Sequence, residues 1–210
     1  MINLIIVDDH SLIRMGLAKI LKEEPDIFIA AVADGQAQLM SILKNTKPDL
    51  ILLDISMPGR NGLEILKDLK QHYSEIKVLV LSMYPEERYA VRAIRSGASG
   101  YLTKESAADE LVNAIRQVHT RGKYVTPIVA DLIVSSFGDE SARPHHEKLS
   151  DREFQILTLI VSGKQIKEIA HELSLSPTTV ATYRARLMEK MNLRSNVELT
   201  GYAMRNHLVD

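Results

Sequence analysis

The chain has 210 residues, of which 45% are hydrophobic and 25% charged, and a net charge of −1. That composition is globular and has room for one large or two small domains. The absence of cysteine excludes disulfides, thiolate metal sites and cysteine nucleophiles, and 5% aromatic content with no Trp weighs against a base-stacking RNA platform.

Taken in chain order, apolar β-rich runs occur at Leu4-Ile5-Ile6-Val7, Ile27-Phe28-Ile29, Leu50-Ile51-Leu52-Leu53, Val78-Leu79-Val80-Leu81 and Gly100-Tyr101-Leu102. Several are apolar on consecutive residues, as in strands buried on both faces of a parallel sheet. Helical patterns lie between them, carried by Leu12 to Leu21, by Leu39, Ile42 and Leu43, by Leu63, Leu66 and Leu69, by Val91 to Ile94, and by Leu111 to Val118. Regular strand-helix alternation predicts a doubly wound α/β domain over residues 1–124. Residues 125–147 read as a linker, with a possible helix over 127–137 opened by Pro127 and a polar stretch over 138–147 in which His145 and His146 are expected to be solvated. After it the strand signals stop, and residues 148–210 read as a small all-α domain. No apolar run approaches the ~18 residues of a membrane span, and the first residues lack a signal-peptide pattern, so a soluble, cytoplasmic protein without membrane partners is expected.

The residues just past the strands carry the chemistry. The first strand ends in Asp8-Asp9, the third in Asp54, the fourth in Ser82, and the fifth leads into Lys104. A parallel sheet brings these ends to one edge, where ligands of such folds sit. Three carboxylates this close repel one another unless a cation neutralises them, and an oxygen-only set suits Mg²⁺. A second reading stays open here: an Asp after a strand also serves as a helix N-cap, and Asp8 or Asp9 stands where a helix starting near Ser11 needs one.

Val7-Asp8-Asp9-His10, Leu53-Asp54-Ile55-Ser56-Met57-Pro58-Gly59, Leu81-Ser82 and Gly100-Tyr101-Leu102-Thr103-Lys104 together resemble the receiver domain of two-component response regulators. The resemblance covers roughly residues 1–124 and implies a flavodoxin-like, five-stranded parallel sheet. It implies that Asp54 accepts a phosphoryl group from a histidine kinase or a small phosphodonor. Asp9, Asp54 and the Ser56 carbonyl would ligate Mg²⁺, with Asp8 acting through a bound water. Lys104 would pair with the acyl phosphate and the Ser82 hydroxyl would hydrogen-bond it. Tyr101 would be an aromatic switch that follows Ser82; read only as a strand residue, it is static and half-exposed.

In the second domain, Ser150 followed by Glu153 makes a capping box before an apolar-sided helix that ends at Ser162-Gly163. A short helix over Gln165 to Leu173, the turn Ser174-Leu175-Ser176 and a helix opening at Pro177 make a helix-turn-helix. Its second helix would enter a major groove, with Thr178, Thr179, Ala181, Thr182 and Arg186 nearest the bases and Lys164, Tyr183, Arg184 and Lys190 on phosphates. The pattern alone fits equally a solvated basic helix in a three-helix bundle.

Leu149-Ser150-x-Arg152-Glu153, Ile166-Lys167-Glu168-Ile169-Ala170, Leu175-Ser176-Pro177-Thr178-Thr179-Val180 and Tyr183-Arg184-x-Arg186 resemble the LuxR/FixJ (NarL-type) helix-turn-helix over about residues 147–208. Thr182-Tyr183-Arg184 and Val197-Glu198-Leu199-Thr200 are similar to the GacA/UvrY-like subgroup. One departure is Ala181, where that family often has Lys. The resemblance implies a phosphorylation-controlled transcriptional regulator, not an enzyme, that binds paired half-sites of double-stranded DNA as a homodimer when phosphorylated. Val197, Leu199, Tyr202 and Ala203 of the last helix would supply the dimer contact, or else complete the bundle core. Competing classes are a Mg²⁺-dependent aspartyl-phosphate phosphatase and a phosphate-sink or adaptor receiver acting through protein contacts. Against the phosphatase, the position two residues after Asp54 is Ser56 and not a second acid.

Overall fold

The five apolar runs become five strands in the computed structural model of the chain, which describes residues 1–57, 61–106, 108–135, 144–206 and 208–209. They are β1 (Ile2–Val7), β2 (Ile27–Ala33), β3 (Leu50–Asp54), β4 (Lys77–Ser82) and β5 (Gly100–Thr103), paired in parallel in the order β2-β1-β3-β4-β5. Every residue of the central β3 is buried, the burial that a continuous Leu-Ile-Leu-Leu run serves. At the edge, β2 leaves Phe28 and Val32 exposed. It runs on to Ala33, past the expected Ile29, because pairing with β1 resumes after an irregularity between Leu4 and Ile5.

Four helices join the strands, α1 (Ser11–Lys22), α2 (Gln36–Leu43), α3 (Gly62–His72) and α4 (Glu86–Arg95), and α5 (Ala108–Arg121) follows the last one. The stripe Leu111, Val112, Ala114, Ile115 and Val118 of α5 packs with Leu4, Ile6, Leu52 and Leu79 in one core cluster. The Asn61 side chain caps α3, accepting a hydrogen bond from the Leu63 amide at 2.8 Å.

The first compact unit spans Met1–Ala130 and extends past the expected boundary at 124. Hydrogen bonds explain the extension: the Tyr124 amide donates to the Ser99 carbonyl at 2.8 Å, and the Thr126 hydroxyl to Glu86 at 2.6 Å. A helix α6 (Pro127–Ser135) opens at Pro127 as expected. Residues 136 and 137 of the helix expected there, and 138–143 of the expected linker, lie outside the described residues.

The second unit, Asp131–Asp210, has no strand among its described residues. A 3-10 turn (His145–Lys148) precedes α7 (Asp151–Val161), α8 (Ile166–Glu172), α9 (Pro177–Met191) and α10 (Asn196–Arg205). The expected capping box is present at the start of α7. The α8–α9 turn is closed by the Leu175 amide on the Ala170 carbonyl at 2.8 Å, with Ser174 in the left-handed region at φ 52°. Ser176 then caps α9 by accepting the Thr179 amide at 3.0 Å, and Pro177 fills the first helical position. His146, expected in a solvated linker, instead lies tilted against Phe154 and edge-on to Tyr202, its Nδ1 3.0 Å from the Tyr202 hydroxyl. Among the described residues no helix is long and apolar enough to cross a membrane.

Candidate functional site

The parallel registers Val7↔Leu53, Asp54↔Leu81 and Ser82↔Thr103 align four strand ends, so the residues that follow them share one edge. Asp8 and Asp54 are buried there, each about 1% exposed. The Lys104 ammonium reaches between them, 2.6 Å from Asp8 Oδ2 and 2.7 Å from Asp54 Oδ2. The second oxygen of each aspartate is held by backbone: Asp8 Oδ1 accepts the His10 amide at 2.7 Å, and Asp54 Oδ1 accepts the Ser56 amide at 2.8 Å. The helix-cap reading of Asp8 and Asp9 does not hold, since α1 is preceded by His10 and has no side-chain cap. Asp9 lies next to this pair, its Oδ1 3.0 Å from His10 Nδ1.

Burial pushes the Asp54 carboxyl above its ordinary value, and the Lys104 charge and hydrogen bond pull it partly back. Burial by itself would lower the Lys104 ammonium, but Asp54 and Asp8 outweigh it and hold it above its usual value. Asp8 Oδ2 and Asp9 Oδ1 make ion-pair contacts to Lys104 and His10, yet among the described residues these buried oxygens accept no hydrogen bond of good geometry. The Ser56 hydroxyl is also buried, with no hydrogen-bond partner among the described residues. Ligand atoms of Asp8, Asp9, His10 and Asp54 lie within 4.8 Å of one another.

Two features shape the approach to this cluster. A Cβ on Gly62 would collide with Ile55 Cα and lie 2.7 Å from the Asp54 carbonyl oxygen, so α3 starts against the backbone that carries Asp54 only because that residue is glycine. Pro58 and Gly59, expected in the same loop, lie outside the described residues. On the β4 side, Ser82 is fully buried and its hydroxyl oxygen accepts the Tyr84 amide at 3.1 Å. Tyr101 is also buried, not half-exposed, and donates its hydroxyl to the Tyr84 carbonyl at 2.8 Å. Burial drives its phenol far above the ordinary tyrosine range. Tyr84 in turn stacks on Tyr89 with ring centroids 4.7 Å apart. Ser82, Tyr84 and Tyr101 therefore form one connected unit beside Asp54. Sequence reasoning missed Arg14, whose guanidinium donates to the Asp8 carbonyl at 2.6 Å. Its only signal was its place in the first turn of the helix that follows the aspartates.

In the helical unit, Thr178, Ala181, Thr182 and Arg186 are exposed along α9, while Thr179, Tyr183 and Arg184 are half-buried. Three cations expected on phosphates have protein partners at the surface. Arg184 donates to Asn196 Oδ1 through Nε at 3.0 Å and Nη2 at 2.8 Å. Lys190 pairs with Glu153 at 2.7 Å, and Lys164 with Glu172. The expected dimer surface needs a larger correction. Leu199 and Ala203 are wholly buried and complete the core, and Tyr202 is tied to His146. Val197 remains, 82% exposed, and shares its side of α10 with exposed Met204 seven residues on.

Comparison with known proteins adds three findings. Residues 4–116 match the family described as "Response regulator receiver domain" and residues 147–203 the family "Bacterial regulatory proteins, luxR family". The chain is 36% identical over 211 residues to "Response regulator GacA" of Pseudomonas aeruginosa, covering 100% of this chain and 99% of that protein. It is 34% identical to "Response regulator UvrY" of Escherichia coli K12, covering 99% and 96%. Among solved structures, RcsB of Salmonella enterica serovar Typhimurium, bound to promoter rprA in the presence of phosphomimetic BeF3-, is similar in fold, with a TM-score of 0.67 at 22% identity over 97% of this chain and 99% of that one.

Proposed function

The chain belongs to the response regulators with a LuxR-type DNA-binding domain, and from that premise we propose that Asp54 is its phosphoacceptor. The observation that carries this reading is the Lys104 ammonium held between two buried carboxylates, Asp8 and Asp54, at the carboxyl edge of the sheet. Phosphoryl transfer asks a protein mainly for positioning and charge neutralisation. An Asp54 oxygen attacks the phosphorus of a kinase phosphohistidine; the new O–P bond forms as the P–N bond breaks, and the donor imidazole leaves with a solvent proton. Lys104 then pairs with the phosphoryl oxygens, and Ser82 turns its hydroxyl from the Tyr84 amide to the acyl phosphate. Tyr101 follows, because its hydroxyl is bonded to the carbonyl of the residue that moves with Ser82.

The aspartates fit Mg²⁺: they offer only oxygen, and among the described residues Asp8 Oδ2 and Asp9 Oδ1 meet Lys104 and His10 but accept no hydrogen bond. Asp9, Asp54 and the Ser56 carbonyl would hold the ion, with Asp8 acting through a bound water. When bound, it supplies the positive charge that lets an anionic carboxylate approach an anionic phosphoryl group.

The output we propose is sequence-specific binding of double-stranded DNA by α9 in the major groove. The partners are a histidine kinase and a second copy of the chain on paired half-sites, in the cytoplasm. The dimer contact is the Val197 and Met204 side of α10. The protein acts as a regulator and not as a phosphatase, for Ser56 stands where a hydrolase of this chemistry needs its second acid. Incubation with acetyl phosphate and Mg²⁺ followed by intact-mass measurement tests the assignment. The wild type gains one phosphoryl group and Asp54→Asn gains none; equal labelling of the two refutes it.

A further inference from the structure

The outward side chains of α9 leave little base-reading chemistry available. Adenine is read bidentately by Asn or Gln, guanine by Arg or Lys, cytosine by Asp or Glu, base edges of several kinds by single Ser or Thr hydroxyls, and thymine by apolar contact with its 5-methyl group. The sequence of α9, Pro177 to Met191, contains no Asn or Gln. Its only acid, Glu189, stands in the last turn, away from the N-terminal half that meets the bases. Of its cations, Arg184 spends Nε and Nη2 on Asn196 and Lys190 its ammonium on Glu153, and Lys164 before α8 is paired with Glu172. Arg186 is exposed and has no partner among the described residues.

What remains on the exposed side is Thr178, Ala181, Thr182 and Ala185. Their spacing of three and four residues puts them on one stripe of the helix. The Thr182 hydroxyl is donated to the Thr178 carbonyl at 3.0 Å, and the Thr179 hydroxyl is shared with Ser176 at 2.8 Å. Thr182 thereby keeps its methyl, and not a free donor, for a ligand. Side chains this short also let the helix backbone come close to the floor of the groove.

We propose that α9 selects its operator chiefly through thymine 5-methyl groups, contacted by Ala181, Thr182 and Ala185, with Arg186 as the one uncommitted cation of the helix. The inference rests on the DNA-binding reading above and specifies which base chemistry that reading uses. Contact from Ala181 to Ala185 spans about two base steps, from a helical rise of ~1.5 Å per residue and a base step of about 3.4 Å.

The test uses the full chain treated with acetyl phosphate and Mg²⁺ on a random-sequence duplex pool. The retained duplex is then resynthesised with deoxyuridine at one thymine at a time, which keeps base pairing and removes only the methyl. Two or three thymines in each half-site should each cost roughly 4-fold in affinity, the worth of one buried methyl. In Ala181→Gly the thymine-to-uracil ratio should fall to one at a single position and persist at the others. Taking that ratio within each variant cancels any loss of helix stability. A selected site without thymine, or uracil duplexes bound as tightly as thymine duplexes at every position, overturns the proposal while leaving DNA binding in place. Retention of no duplex overturns the DNA-binding reading, and this inference with it.

Discussion

Glu153 ties α9 to the rest of its domain, and replacing it separates two contributions. Its Oε2 accepts the Ser150 amide at 2.8 Å, closing the capping box of α7, and pairs with Lys190 of α9 at 2.7 Å. The Glu153 side chain is 4% exposed but Lys190 is 44% exposed, so solvent screens the pair. We expect about 1 kcal/mol from it. Glu153→Gln keeps a cap acceptor and loses only the charge, costing about 1 kcal/mol; Glu153→Ala loses the cap as well, for about 2 kcal/mol in total. Burial by itself would raise the Glu153 carboxyl, but Lys190 and Ser150 outweigh it and hold it below its ordinary 4.5. Its contribution is therefore complete above pH 4.5 and is lost as pH falls through the lower folded value. Amide hydrogen exchange in α7 and α9 of the intact chain reads the difference locally. Freeing Lys190 should also steepen the salt dependence of DNA binding by about 0.9 in the log–log slope. Glutamine and alanine variants of equal stability, or a glutamine gap unchanged below the carboxylate range, would refute this account.

Gly62→Ala should destabilise the first unit by about 1–3 kcal/mol in urea unfolding, because its methyl meets the Ile55 and Asp54 backbone. It should also slow labelling by acetyl phosphate. Tyr101→Phe removes the hydrogen bond to the Tyr84 carbonyl. It should cost about 1 kcal/mol and speed amide exchange of the Tyr84 loop. On α10, Leu199→Ala should cost about 2–5 kcal/mol, whereas Val197→Asp should change stability by less than about 0.5 kcal/mol and weaken self-association in sedimentation. A Val197→Asp chain that associates as the wild type does would remove Val197 from the dimer contact.

The strand-helix alternation, the acids past β1 and β3, the lysine past β5 and the capping box were legible because each is a local pattern. Consecutive apolar residues report two-sided burial, and the edge of a parallel sheet follows from topology. Residues whose role depends on a distant partner were not legible. For Tyr101 the sequence left open a switch and a half-exposed strand residue; its burial and its hydrogen bond to the Tyr84 carbonyl are set by the fold. Lys190, Arg184 and Lys164 counted as free cations, because net charge along a helix does not say which charges the fold consumes. Leu199 and Ala203 carry the same apolar pattern whether a helix faces its own core or a second chain.

From residue order alone came two domains, a carboxylate pocket and a helix-turn-helix, since period, breakers and strand-end chemistry are properties of neighbours in the chain. Tertiary structure decided which oxygens Lys104 bridges, which cations of α9 are already spent and which side of α10 is exposed. Hydrogen bonds and burial between residues dozens of positions apart depend on where the backbone brings them, and no one-dimensional pattern carries that distance.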